Sequence, residues 1–90
     1  MEFEFDPAKS AANKDKHGID FHEAQALWED DDLVEVPSLQ SGEDRFIAVG
    51  LLHGRYWSAI WTWRDGRIRL ISVRRSRERE VENYEAQRAG

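Results

Sequence analysis

Between Trp57 and Arg79 the chain carries two β-rich runs joined by Asp65-Gly66, and no other stretch restricts the fold as tightly. A two-residue type I′ turn needs positive φ at both central positions, which Asp-Gly supplies at little cost. Arg64 is therefore set opposite Arg67. The register then runs outward, with Trp63 opposite Ile68, Thr62 opposite Arg69, Trp61 opposite Leu70, Ile60 opposite Ile71 and Ala59 opposite Ser72. Directly opposed residues share a face of the sheet. One face is expected to hold Trp57, Trp61, Trp63, Ile68 and Leu70, and the other Ile60, Ile71 and Val73, with Arg64, Arg67 and Arg69 gathered near the turn. Opposed like charges destabilise a strand pair, so the cluster points to something negative that meets it.

The rest of the chain supplies partners for this hairpin. Phe3 and Phe5 alternate with Glu2 and Glu4 as in a short half-buried strand. Asp6-Pro7 pairs an N-cap with the residue best tolerated at the first helical position, which predicts a helix from Pro7 to about His17, stopped by Gly18. This helix has little apolar surface and must lean on a neighbour. Asp20 and Glu23 form a capping box for a second helix, whose Phe21, Ala24, Leu27 and Trp28 make one core face. Glu29-Asp30-Asp31-Asp32 would oppose the macrodipole, so that helix should end close to Trp28.

Leu33 to Val36 reads as a short strand ended by Pro37, followed by a polar loop over Ser38 to Asp44. Arg45 to Leu52 reads as a strand covered on both faces, and His53-Gly54 as a second tight turn into Arg55 to Trp63. A two-residue turn there sets Arg45 opposite Thr62, adding Arg45 to the basic patch. Ser76 can cap a last helix from Arg77 to about Arg88, in which Val81 and Tyr84 are the apolar contacts. Strand, two helices, four strands and a helix make an α+β chain built on an antiparallel sheet, expected as one domain over residues 1–90.

Composition narrows the function. The absence of cysteine excludes a disulfide framework and a thiolate metal site. Three scattered histidines without matching carboxylates make a poor metal site. No apolar run approaches the roughly 18 residues of a membrane span, and Met1-Glu2-Phe3-Glu4 lacks the basic region of a signal peptide, so a soluble cytoplasmic protein is expected. The net charge of −5 argues against a generic nucleic-acid binder, but the average hides an asymmetry. Up to Asp44 there are three lysines against thirteen acids; from Arg45 onward there are ten arginines against five acids. The split suggests a basic working surface on an acidic support, or two halves that attract each other on folding.

At both ends the chain resembles a known family. Phe3, Phe5-Asp6, Lys9, Asn13, Lys16-His17-Gly18-Ile19, Phe21 and Glu23-Ala24, followed by Arg67-Ile68-Arg69, Ile71-Ser72, Arg74-Arg75, Glu80 and Tyr84, resemble BrnT-type toxins. The resemblance implies a RelE-like ribonuclease fold, a toxin of a type II toxin–antitoxin pair, and a DNA-binding BrnA-type antitoxin as partner. DNA would then be reached only through the antitoxin, and no cofactor is implied. Phe5 stands where the family often has Trp, and Val81 where it often has Arg, which removes a charge from the final helix.

Cleaving RNA through its own 2′-hydroxyl asks for a base, an acid, and cations for the charge that grows on the phosphate. Arginine suits the last task, because its planar fork holds two phosphate oxygens and stays charged. Arg64, Arg69 and Arg74 are the catalytic candidates, with Arg45, Arg67 and Arg75 as phosphate binders; for each, a salt bridge to the acidic half is the competing reading. His17 is the natural proton carrier, or else a helix C-terminal residue that favours the macrodipole. Lys9 and Lys16 either bind phosphate or solvate a helix, and Glu23 reads as a cap rather than a base. The tryptophan stripe is expected in the core rather than as a stacking platform. Two function classes follow: a metal-independent endoribonuclease toxin, or a noncatalytic module that binds nucleic acid or a protein through the same arginines.

Overall fold

The computed structural model describes residues 1–38 and 44–90. It contains β1 (Phe3–Glu4), α1 (Pro7–His17), α2 (Phe21–Ala24), a 3-10 segment (Gln25–Glu29), β2 (Val34–Ser38), β3 (Arg45–Leu52), β4 (Arg55–Arg64), β5 (Arg67–Arg75) and α3 (Glu78–Ala89). One five-stranded sheet runs in the order β1-β5-β4-β3-β2. The expected sheet was antiparallel throughout; the observed one is mixed, because β1 pairs parallel to β5 through Phe3↔Ile68 and Glu4↔Arg69. A two-residue strand that returns through α1 and the rest of the chain can reach β5 from either direction, and nothing local fixes which. Of the loop expected over Ser38 to Asp44, residues 39–43 lie outside the described residues.

Both turns form with left-handed central residues: Asp65 and Gly66 at φ 52° and 76°, His53 and Gly54 at 53° and 74°. The β4–β5 register holds from Arg64↔Arg67 to Trp61↔Leu70, then shifts: Ile60 faces Ser72, Ala59 faces Val73, Ser58 faces Arg74 and Trp57 faces Arg75. Ile71 is the extra residue of a β-bulge, which leaves two residues of one strand against one of the other. The expected pairs Ile60–Ile71 and Ala59–Ser72 are therefore corrected, and so is the face of Val73. It lies fully buried in the core beside Ala59, not with Ile60. The same shift carries Arg74 onto the face that holds Ile60, Thr62 and Arg69.

The core sits on the face of Trp57, Ala59, Trp61, Ile68, Leu70 and Val73, covered by Ile19, Phe21, Ala24 and Leu27. Trp57 and Trp61 belong to it, while Trp63 is exposed beyond its edge, its ring T-shaped against Trp61 at 5.0 Å. The second helix gives way to 3-10 geometry after Ala24 instead of continuing to Trp28. Phe21, Ala24 and Leu27 recur every three residues, which is the 3-10 repeat, so the tighter winding keeps all three on the core. Both halves of the capping box form, from Glu23 N–H to Asp20 Oδ1 at 2.7 Å and from Asp20 N–H to Glu23 Oε1 at 3.0 Å.

The support that α1 needs comes from two polar anchors rather than an apolar face. Ser10 Oγ accepts from Phe21 N–H at 2.9 Å. Asn13 takes the place of a neighbouring strand where β1 has ended: its amide donates to Val73 O and accepts from Val73 N–H, at 2.8 and 3.1 Å, and donates also to Ile19 O at 2.8 Å.

On the opposite face, α3 covers part of the sheet. Tyr84 is buried there, T-shaped on Tyr56 with centroids 5.7 Å apart, and its hydroxyl donates to Asp30 Oδ2 at 2.8 Å. Burial and then the Asp30 carboxylate push the Tyr84 hydroxyl up to about 12. Burial would raise Asp30 as well, but hydrogen bonds from Leu51 N–H, Asp32 N–H and Tyr84 outweigh it and hold the carboxyl below its usual range. The Tyr56 hydroxyl donates to Glu85, which ties the middle of α3 to the sheet. No described helix is long and apolar enough to cross a membrane.

Candidate functional site

The half of this face that α3 leaves uncovered is a groove of about 770 Å³. Ile47, Ile60 and Ile71 line it together with Arg45, Arg74, Arg77, Arg79 and Glu80. The bulge matters here, since it is what turns Arg74 into the groove. Arg74 enters with its fork engaged, donating to Glu80 Oε1 and Oε2 at 2.7 and 2.9 Å. Glu80 Oε1 also accepts from Ser58 Oγ at 2.9 Å and from Arg77 N–H at 2.8 Å. The Arg74 guanidinium, more than burial opposes it, drives the Glu80 carboxyl down to about 2. Glu80 is thus ionised and weakly basic near neutrality, suited to hold an arginine rather than to move a proton. Arg74 is raised in turn by the same pair. Two of the five N–H groups of the Arg74 guanidinium satisfy the carboxylate fork and a third donates to Arg75 O at 3.4 Å, so the remaining two can face a phosphate.

Ser76 does not cap α3 as expected. Arg77 is the N-cap, and the Ser76 hydroxyl instead shares a hydrogen bond of 2.8 Å with Ser58 Oγ, beneath the same carboxylate.

The other sequence candidates fall in three places. Arg45↔Thr62↔Arg69 and Arg64↔Arg67 share the groove's face toward the Asp65-Gly66 turn. Two of these arginines meet acids of the N-terminal segment: Arg69 Nη1 lies 3.0 Å from Glu4 Oε1, and Arg67 Nε lies 3.8 Å from Glu2 Oε2. The attraction between the acidic and basic halves is real at these positions, because β1 runs alongside β5. Arg64 is exposed at the turn and makes no ion pair among the described residues.

His17 lies elsewhere, in a second cleft on the core side of the sheet with His53, Arg55 and Trp57. That cleft is at the His53-Gly54 end of β4. Ten residues of strand set it roughly 30 Å from the Asp65-Gly66 turn, at about 3.3 Å per residue. His17 is therefore not brought to Arg64 or Arg69. Arg75 is closer to it, with its guanidinium 5.5 Å from the ring centroid of Trp57. Lys16 is exposed beside His17, and Lys9 is exposed two turns earlier on α1. Glu23 caps its helix and binds Lys14 Nζ at 2.7 Å, and that lysine is the main reason its carboxyl is lowered. Among the described residues no group of three His, Cys, Asp or Glu side chains is placed to hold a metal ion.

Over residues 5–80 the chain matches the family described as "Ribonuclease toxin, BrnT, of type II toxin-antitoxin system". The chain belongs to the BrnT family. Membership makes RNA the target class and an antitoxin the partner class. A comparison with curated proteins returned no match. The BrnT match runs from Phe5 through the hairpin to Glu80, and so spans both clefts.

Arg77, Arg79, His53 and Arg55 are not among the candidates that motif and spacing single out. A strand face and the first turn of a helix meet only in space, so periodicity cannot join them. The legible signal was the Arg74-to-Glu80 spacing: it crosses the strand end and reaches N3 of the next helix, where a carboxylate turns back toward the sheet.

Proposed function

We propose that the chain is a metal-independent endoribonuclease with a RelE-like fold, acting as one toxin domain over residues 1–90. In this reading it cleaves RNA in the cytoplasm to arrest translation. The observation that carries it is the groove, where four arginines and one fully engaged carboxylate surround an apolar floor. An RNA strand laid there sets its phosphates on Arg45, Arg77 and Arg79, with Arg74 held by Glu80 at the phosphate where charge builds. Preorganised cations of this kind are the largest single contribution in many enzymes, and they need no reorganisation at the moment of reaction. His17, on the far side of the sheet, has no part in this groove, so the groove supplies binding and charge stabilisation.

A BrnA-type antitoxin would neutralise the same face with acidic or aromatic groups docked on Arg64, Arg69 and Arg74, and would carry the operator binding. Its association rate should fall as salt is raised.

Digestion of RNA by the purified chain tests the reading. Cleavage is expected to continue in EDTA, and to fall about tenfold to a hundredfold in Arg79→Ala and in Arg45→Ala. Lys9→Ala serves as the control and should leave the rate unchanged. If the chain bound RNA without cutting it, or if both arginine variants cut at the full rate, the catalytic groove would be wrong. The noncatalytic binding module would then take its place.

A further inference from the structure

The second cleft shares no lining residue with the groove. It encloses about 210 Å³ between the α1–α2 corner and the β3–β4 turn. Its wall is apolar, made of Ile19, Leu52 and Trp57, and its rim carries His17, His53 and Arg55. Trp57 is fixed in place: its indole N–H donates to Leu52 O at 3.3 Å, and Arg75 lies over its ring. The acid at the edge, Glu23, is already occupied by Lys14 and the Asp20 N–H. Arg55 is exposed and makes no ion pair among the described residues. The Arg55 guanidinium is thus left beside an apolar wall.

His53 sits at φ 53°, a conformation that Asn or Gly reaches more easily in a type I′ turn. The turn does not ask for an imidazole there.

The geometry points to a site for a single unstacked nucleotide, its base against the Ile19–Leu52–Trp57 wall and its phosphate on Arg55 and the rim. Imidazoles are among the surfaces on which single-stranded bases stack, and the buried Trp57 adds apolar contact only. The volume lies below the range of about 300 to 1,000 Å³ usual for drug-sized ligands, which suits one base and excludes a stacked pair. Arg74 and Arg75 are consecutive: Arg74 lines the groove, and Arg75 lies over Trp57, which lines the cleft, so the end of β5 lies between the two. A strand leaving the groove past this end and turning over the sheet edge runs toward the cleft. The proposal rests on RNA as the substrate, and deepens that reading by a specificity subsite.

Titration of the full chain with AMP, followed by NMR, tests it. The His17 and His53 ring signals and the Trp57 indole N–H signal are expected to move together. His53→Asn keeps the turn and should weaken AMP binding about tenfold, as should Arg55→Ala, with Glu82→Ala, exposed on α3 and outside both clefts, as the unaffected control. Three results would overturn the site: shifts confined to Ile60, Ser72 and Arg79; inorganic phosphate binding as tightly as AMP; or cleft shifts caused by an acidic peptide and not by AMP. RNA cleavage by the same preparations separates the two ideas. A chain that cuts RNA while the cleft signals stay still keeps the ribonuclease reading and loses this site. AMP in the cleft of a chain that does not cut keeps the site and loses the catalytic groove.

Discussion

Glu80→Ala is expected to destabilise the protein by about 3 kcal/mol, and to reduce RNA cleavage at least tenfold at temperatures where the variant is still folded. Removing one partner of a buried ion pair costs about 3 to 5 kcal/mol, because the other charge is left without water or counter-charge. Arg74 and Glu80 are not wholly buried, with side chains 19% and 17% exposed, so the lower end applies. The same change also removes the acceptor for Ser58 Oγ and Arg77 N–H. Glu80→Gln keeps one oxygen for those donors but halves the fork, and should cost less, about 1 to 2 kcal/mol. Arg74 loses its anchor in both variants, so cleavage should fall in both.

The pH dependence isolates the pair. A carboxyl depressed in the folded state contributes stability above its unfolded value and loses it as pH falls through the folded value. For Glu80 the window runs from about 4.5 down to about 2, and at about 1.4 kcal/mol per pH unit it holds roughly 3 kcal/mol. Arg74 stays charged throughout and adds no titration of its own. The stability gap between wild type and Glu80→Ala, measured by urea unfolding, should therefore be constant from pH 7 to about 5 and shrink steadily below 4.5. A gap that persists unchanged at pH 3 would mean that the carboxylate's charge contributes nothing, and that the loss in the variant is one of packing alone.

What the sequence disclosed, and what it did not, follows the range of the interactions. The caps at Asp6, Gly18, Asp20 and Glu23, and the two positive-φ turns, depend on neighbours within a few residues, and all are legible. The hairpin register was legible as far as Leu70. Beyond it, the adjacent apolar pair Leu70-Ile71 was the trace of the bulge, since strict alternation allows one of the two in the core and the other outside. Reading through that break put Val73 outside. The parallel docking of β1, the groove shared by β5 and α3, and the cleft shared by α1 and the β3–β4 turn all join residues far apart in the chain. Hydrophobic periodicity reports which face a residue takes, and is silent on which distant element arrives there. Arg64, Arg67 and Arg69 could therefore be assigned to a face, Arg74 and Arg75 beyond the bulge could not, and none could be assigned to Glu4, Glu80 or Trp57 as partners.

Asn13 shows the same limit in energetic form. It is a buried polar residue on a helix with little apolar surface, and its amide satisfies Val73 N–H, Val73 C=O and Ile19 C=O at once. Asn13→Ala strands all three groups in the interior, where an unsatisfied donor or acceptor costs about 1 to 3 kcal/mol. Some relaxation toward water at the sheet edge lowers the sum, so a loss of about 3 to 4 kcal/mol is expected. With about 4 to 8 °C per kcal/mol for a chain of this size, Tm should drop by roughly 12 to 30 °C. Asn13→Asp should be nearly as damaging, because a carboxylate accepts from Val73 N–H but cannot donate to the two carbonyls, and brings a charge beside them. Ala12→Asn places the same amide on the exposed neighbouring position and should change stability by less than about 0.5 kcal/mol. Hydrogen exchange gives the local reading: the Val73 amide, protected in the wild type, should exchange faster in Asn13→Ala than global unfolding requires. A loss below about 1 kcal/mol with Val73 still protected would mean that another group takes over the edge of β5, and that α1 is held by Ser10 and its caps instead.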